Sequence, residues 1–292
     1  MVAPFSTTPG TTADALRRGT IALRAAGVEE PQLEAELLLR HVLGLDKTCF
    51  YLRLSEPLTE RQQRAFLELL AQRRAHKPAA YIVGQRAFYD LELRVGPGVL
   101  IPRPETELVV EHCLALLRER VAAHGSARFV DVGTGSGAIA LVIAKHLPAV
   151  EVLAVDQSPE ALVIAGYNAR LLRLSGRVRF AQSDLLDAVR EPVDVVAANL
   201  PYVPTAEWEQ LPPEIREHEP RAALDGGPDG LDVIRRLFAQ LPGCMRPGGA
   251  AVLEIGHGQG AAVQELAREL AGVPAAIEPD LAGRDRIAVL RF

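Results

Sequence analysis

Apolar positions follow two different periods along this chain. Residues 13–26, 31–43 and 60–76 carry helical spacing, with Leu33, Leu37 and Leu38 on one face of the second segment and a Thr59-x-x-Gln62 capping box opening the third. Three helices of this size predict a small bundle over residues 1–79. From 80 to 101 the period shifts towards two, with turn residues at Gly84, Asp90 and Gly96-Pro97-Gly98, which predicts a β-hairpin linker. Ile101-Pro102-Arg103-Pro104-Glu105-Thr106-Glu107 then leads into a helix at 108–118, its entry stiffened by two prolines.

Beyond that point strand-like and helical segments alternate. Strands are expected at 128–132, 150–155, 177–181, 193–198 and 250–255, with helices at 138–146, 159–174, 231–241 and 259–270 between and after them. Such alternation specifies a doubly wound, mostly parallel sheet over residues 102–292. The chain closes with strands at 275–278 and 286–292. Their connection, 279–285, is too short for a parallel crossover, so the sheet is expected to end with an antiparallel strand.

Charge and cysteine content narrow the class. Against 37 acidic side chains stand 32 basic ones, a net charge of −5, so no global field draws the 292-residue chain to nucleic acid or to a membrane surface. Neither a direct nucleic-acid partner nor a membrane is expected. Cys49, Cys113 and Cys244 are odd in number and widely spaced, which suggests no disulfide framework and no zinc site, and fits a reducing cytoplasm. Residues 1–10 have neither the basic start nor the apolar core of a signal peptide. A monomer is expected. Arg61, Arg64, Arg73, Arg74, His76 and Lys77 form a basic group that either faces solvent or meets an acidic partner.

Candidate chemistry gathers at strand ends. The turn Gly133-Thr134-Gly135-Ser136-Gly137 follows a strand and opens a helix, so its backbone can approach a nucleotide-like ligand closely. The next strand ends in Asp156, 19 residues past Gly137, where a carboxylate can accept from both ribose hydroxyls. Taken alone, this pattern fits a nicotinamide dinucleotide or S-adenosylmethionine, since Gly133, Gly135 and Ala138 satisfy the glycine fingerprint of both. Asn199-Leu200-Pro201-Tyr202 adds a carboxamide, a rigid backbone and an aromatic face at the end of an apolar strand, a set suited to holding a planar amide or amine for methyl transfer. A seven-stranded sheet with an antiparallel strand near its edge points the same way. The Asp225 to Gly230 stretch reads as a turn, Trp208 as loop packing, and Arg103 with Glu105 as a surface ion pair or a site lining.

Together these segments make the chain resemble the HemK/PrmC family of release factor glutamine methyltransferases. The likeness runs through Phe88-Tyr89-Asp90-Leu91, Val99-Leu100 and the Ile101 to Glu107 motif, Asp131 to Ala140, and Ala154-Val155-Asp156. It continues through Glu219 to Gly227, Gly230-Leu231-Asp232 and Glu254-Ile255-Gly256. The resemblance implies an α/β, Rossmann-like seven-stranded methyltransferase sheet with an antiparallel C-terminal strand, preceded by a small helical bundle that binds the substrate and a β-hairpin linker. It implies S-adenosylmethionine as cofactor and peptide chain release factors as protein substrate, methylated on the glutamine of a Gly-Gly-Gln loop. Rival readings are methylation of a ribosomal-protein glutamine, of a nucleic-acid amino group, or a nicotinamide-dependent oxidation. Asn199, Leu200, Pro201 and Tyr202 are the implied catalytic residues: the Asn199 side-chain oxygen and the Leu200 carbonyl would accept the two amide hydrogens, with Tyr202 packed on the amide. Asp131, Gly133, Thr134, Gly135, Ser136, Gly137, Asp156, Asp184, Leu185 and Asn199 are the implied cofactor residues. The family carries proline where this chain has Leu200, which keeps the carbonyl but loses the fixed φ, so a looser loop and slower turnover are expected.

Overall fold

The structure, a computed structural model, describes residues 10–292. The signal-peptide reading and the start of the 1–79 region concern residues 1–9, which lie outside the described residues. Two compact units divide the chain between Gly84 and Gln85, with residues 213–218 grouped into the first.

The first unit is helical: α1 (Thr12–Ala25), α2 (Pro31–Leu43), α3 (Lys47–Leu52), α4 (Glu60–Arg74) and α5 (Ala79–Val83). Capping boxes start two of them. Thr11 pairs reciprocally with Asp14 at α1, and Thr59 with Gln62 at α4, so each helix satisfies two otherwise orphaned N–H groups. Leu23, Leu38, Leu39, Phe50, Phe66 and Leu70 fill the core. α1 and α4 approach closely at Gly19, where an added Cβ would lie 2.7 Å from the Phe66 ring.

Three expectations change in this unit. Leu33 is 52% exposed, because the buried stripe of α2 runs through Ala35, Leu38 and Leu39 instead. Residues 80–83, expected to open the hairpin, belong instead to helix α5, and Gly84 closes it in the left-handed region at φ 73°. Arg73 does not belong to a solvated basic face: it is buried and paired with Glu34 and Glu214, while Arg61, Arg64 and Arg74 remain exposed.

The second unit opens with an antiparallel hairpin, β1 (Gln85–Phe88) and β2 (Leu91–Arg94). α6 (Thr106–His124) follows and extends the expected helix at both ends. Then come β3 (Ala127–Val132), α7 (Ala138–His146), β4 (Val150–Asp156), α8 (Pro159–Leu171), β5 (Val178–Gln182) and β6 (Val193–Asn199). After α9 (Pro213–Arg216), which groups with the helical unit, the chain continues through α10 (Asp232–Cys244), β7 (Met245–Glu254), α11 (Gly260–Leu266), β8 (Ala275–Pro279) and β9 (Asp285–Arg291).

Seven strands form one sheet in the order β5-β4-β3-β6-β7-β9-β8. β9 runs antiparallel to both β7 and β8, the terminal hairpin required by the short connection. Both faces are covered, so β6 alternates between two cores. Val195 and Ala197 pack in the layer that holds α6 and α7, and Val196 and Ala198 in the layer that holds Leu237 and Phe238 of α10. The one acid of that strand, Asp194, is buried and accepts from Arg120, Arg246 and the Arg128 N–H. Sequence order reverses at β3, between β4 and β6, and a crevice outside the carboxyl ends of such strands is where ligands sit in open α/β sheets. No described helix is long and apolar enough to cross a membrane.

Candidate active site

A cavity of about 430 Å³ opens at that crevice, and the carboxyl ends of β3, β4 and β6 converge on it. Gly133, Thr134, Gly135, Ser136, Asp156, Asp184, Leu185, Asn199, Leu200 and Pro201 line its wall; Asp131, Gly137 and Tyr202 are not among the lining residues. The turn after β3 takes its shape from left-handed backbone: φ is 70° at Gly133, 55° at Gly135 and 86° at Gly137. Gly137 also has no room for a Cβ, which would meet Leu141 at 2.9 Å. Asn168, fully buried on α8, donates to the Ser136 carbonyl at 2.8 Å and brackets the Arg94 peptide, tying the turn to β2.

Two carboxylates flank the turn. Asp156 accepts from the Gly135 and Ser158 N–H groups, both at 2.9 Å, which holds it at the rim with lone pairs to spare. Asp131 is buried; its Oδ2 accepts from Thr134 Oγ1 at 2.6 Å and from the Ala140 N–H at 3.0 Å, while Oδ1 has no partner. Burial pushes the Asp131 pKa up to about 6, opposed by those two hydrogen bonds and reinforced by the nearby Asp156 charge. An unsatisfied acid beside a second acid suits a ligand with an ammonium group and a ribose, so S-adenosylmethionine fits this donor set. Asp184, also on the cavity wall, is exposed and paired with Arg236. Leu185 has φ 48°, unusual for a residue with a side chain, and Ser183 braces it by donating to its carbonyl at 2.8 Å.

Asn199 ends β6 at the cavity. Its Nδ2 donates to Thr106 Oγ1 at 2.9 Å, Thr106 donates to Glu254 Oε2 at 2.6 Å, and the Tyr202 hydroxyl donates to Glu254 Oε1 at 3.1 Å. Burial, and then the facing Glu254 charge, push the Tyr202 phenol well above its ordinary range, so it stays a donor. Leu200 is buried in the α10 core layer, and its Cδ2 stands 3.2 Å from where a Gly133 Cβ would be.

A backbone-to-backbone contact supports this tetrapeptide from below. At Gly226 a Cβ would lie 2.7 Å from the Pro201 carbonyl and 2.5 Å from that of Gly230; at Gly230 it would lie 2.3 Å from the Tyr202 carbonyl. Val203 and residues 224–226 exchange main-chain hydrogen bonds of 2.9 Å, and Gln259 donates to the Tyr202 carbonyl at 3.0 Å. The stretch read as a plain turn is therefore a brace for the site. Arg103 pairs with the buried Glu219, not with Glu105, and Glu219 also accepts from the Ile101 N–H at 3.0 Å. Trp208 is buried, with the Arg221 guanidinium stacked over its ring at 5.1 Å.

Residues 14–84 match the PrmC N-terminal domain and residues 109–211 the methyltransferase small domain. Along 94% of both chains, the protein is 46% identical to the release factor glutamine methyltransferase of Moorella thermoacetica. With the enzyme of the same name from Rhodopirellula baltica it shares 40% identity over 96% of each. The chain belongs to the release factor glutamine methyltransferase family. It is an S-adenosylmethionine-dependent methyltransferase, and the nicotinamide reading of the glycine turn falls away. A methyltransferase from Pyrococcus furiosus, 18% identical, superimposes with a TM-score of 0.52 over 76% of this chain and 98% of its own, in keeping with the Rossmann-like sheet. Thr106, Asn168, Ser183, Gly226 and Glu254 are site or support residues that the sequence did not single out for a role. Thr106, Gly226 and Glu254 do lie in the motifs that carry the family resemblance, whereas Asn168 and Ser183 lie in none of them.

Proposed function

We propose that this protein methylates the side-chain amide nitrogen of the glutamine in the Gly-Gly-Gln motif of peptide chain release factors, acting in the cytoplasm. The observation that carries this reading is the Asn199 carboxamide, whose N–H side is spent on Thr106, leaving its oxygen as the atom available to a ligand at the cavity wall. A glutamine amide nitrogen is a weak nucleophile because its lone pair is delocalised into the carbonyl, so a site that activates it must work by positioning.

Bound S-adenosylmethionine supplies an electrophilic methyl group. Asp156 and the glycine turn would hold its ribose and amino-acid portions, with Asp131 set behind the turn as a buried counter-charge. Asn199 Oδ1 and the Leu200 carbonyl would accept the two amide hydrogens of the substrate. These acceptors also oppose the positive charge that grows on nitrogen, an electrostatic effect of the oxyanion-hole kind with the sign reversed. The methylated amide is acidic enough to lose its extra proton to water. No general base among the residues is required.

Incubation with labelled S-adenosylmethionine and a release factor tests the proposal. Label is expected on the Gly-Gly-Gln glutamine and absent from a Gln→Ala substrate. Equal label on both would refute it, and an N199A enzyme with full turnover would remove its structural basis.

A further inference from the structure

A carboxamide is nearly symmetric in shape, so a site that uses its oxygen must forbid the flipped arrangement. We infer that Glu254 and Thr106 set the direction of a hydrogen-bond chain that keeps the Asn199 oxygen turned to the substrate, which makes Thr106 and Glu254 positioning residues for the proposed transfer and rests on that reading.

An ionised Glu254 can only accept, and the Tyr202 hydroxyl already donates to its Oε1. Thr106 has one proton, and it goes to Glu254 Oε2 at 2.6 Å. Thr106 Oγ1 is then left with lone pairs alone on the side facing Asn199, and only the amide nitrogen can meet it, at 2.9 Å. Flipping the amide would set its oxygen against the threonine oxygen and offer N–H groups to a substrate that itself brings N–H groups. The four residues come from three segments: Thr106 starts α6, Asn199 ends β6 with Tyr202 just after it, and Glu254 ends β7. Thr106 and Glu254 are 4% and 1% exposed, so little water competes for the bond between them.

The same logic gives the chain a pH dependence. A protonated Glu254 can donate to Thr106, which frees the threonine proton to donate to Asn199 and permits the flipped amide. Burial raises the Glu254 pKa above its ordinary value; bonds from Thr106 and Tyr202 and the Arg286 charge oppose the rise, and the Glu105 charge adds to it. Turnover should therefore fall on the acid side even when cofactor is saturating.

The test compares wild type with T106V, T106S and E254Q, reading kcat on a release factor at saturating S-adenosylmethionine, cofactor Kd by calorimetry, and the pH profile of kcat. T106V is expected to lower kcat by about tenfold to a hundredfold, below the hundredfold to thousandfold of a lost direct electrostatic contact because Thr106 acts through Asn199, with cofactor Kd changed by less than about twofold. T106S, which restores the hydroxyl, should recover most of that loss. E254Q should lower kcat and flatten the acid limb. T106V with wild-type kcat, T106S as slow as T106V, or E254Q with an unaltered acid limb would each overturn the inference while leaving the proposed function standing. A wild-type protein that binds cofactor but labels no release-factor glutamine would remove the function itself, and the inference with it.

Discussion

The Asp156 carboxylate, at the end of β4, accepts the Gly135 N–H at 2.9 Å, so the acid proposed to meet a ribose also fixes the glycine turn that follows β3. One side chain thereby couples the two halves of the cofactor cleft. D156A should lose ligand contacts and turn order together, at about 1.5–3 kcal/mol for each charge-assisted hydrogen bond. Calorimetric titration with S-adenosylmethionine is expected to show affinity reduced by a hundredfold or more, since about 1.4 kcal/mol is tenfold. Unchanged affinity would mean that Asp156 does not face the cofactor.

Asp131 should trade stability for binding. Its folded pKa is raised by burial from 3.8 to about 6, so the folded state holds its proton more tightly than the unfolded state. The associated stability is fully present below 3.8 and is lost as pH rises through about 6, which makes the ionised acid a burden on the free protein at neutral pH. D131N keeps an oxygen for Thr134 and Ala140 and removes the charge. Thermal melts at pH 7.5 should place the ligand-free variant above wild type, with the gap closing towards pH 4. Cofactor affinity should move oppositely, weaker in the variant at pH 7.5 and, for wild type, weakening as pH falls below about 6. A variant that binds as well as wild type would restrict Asp131 to shaping the turn.

Local chemistry made much of this legible in the sequence. The terminal hairpin followed from the length of 279–285, and the glycine turn from residues whose positive φ values have a local cause. What escaped depends on partners remote in the chain. Thr106 and Glu254 are 148 positions apart, and Asn199 lies between them; no periodicity announces that the three form one hydrogen-bond chain. Residues 80–83 are ambiguous in sequence because a short apolar run fits strand or helix equally, and only the cap at Gly84 decides. Arg73 looked like one more cation on a basic helix, since its partners come from α2 and from the distant residue Glu214.

Asp194 anchors the start of β6. It is 1% exposed and accepts from Arg120 Nη2 at 2.6 Å, the Arg128 N–H at 2.8 Å and Arg246 Nη1 at 3.1 Å. Burial alone would raise its pKa, but these partners outweigh burial and hold it below 3.8. Its contribution is therefore present above 3.8 and lost as pH falls through the lower folded value. D194A, which leaves the arginines uncompensated and a peptide N–H unpaired, should cost about 3 kcal/mol in urea unfolding at pH 7. Repeating the measurement near pH 3 should show a smaller gap. An equal gap at both pH values would show that the loss comes from packing rather than charge.

Gly226 offers the sharpest separation of catalysis from folding, because its constraint is the close approach of two backbones rather than an unusual φ. A Cβ there would fall 2.5 Å from the Gly230 carbonyl oxygen and 2.7 Å from that of Pro201, and neither can yield as a flexible side chain would. The methyl group of G226A must push the Pro201 peptide, and with it the adjoining Leu200 carbonyl that would accept one substrate N–H. Misplacing a reacting amide by about 1 Å can cost on the order of a hundredfold in rate. The displacement falls at the β6 end of the cavity, in a different segment from the glycine turn after β3 and from Asp156 at the end of β4. G226A is accordingly expected to bind S-adenosylmethionine with wild-type affinity while kcat falls by about a hundredfold. Parallel loss of cofactor binding would mean that the loop supports the whole cleft, and full turnover would mean that the tetrapeptide tolerates the shift.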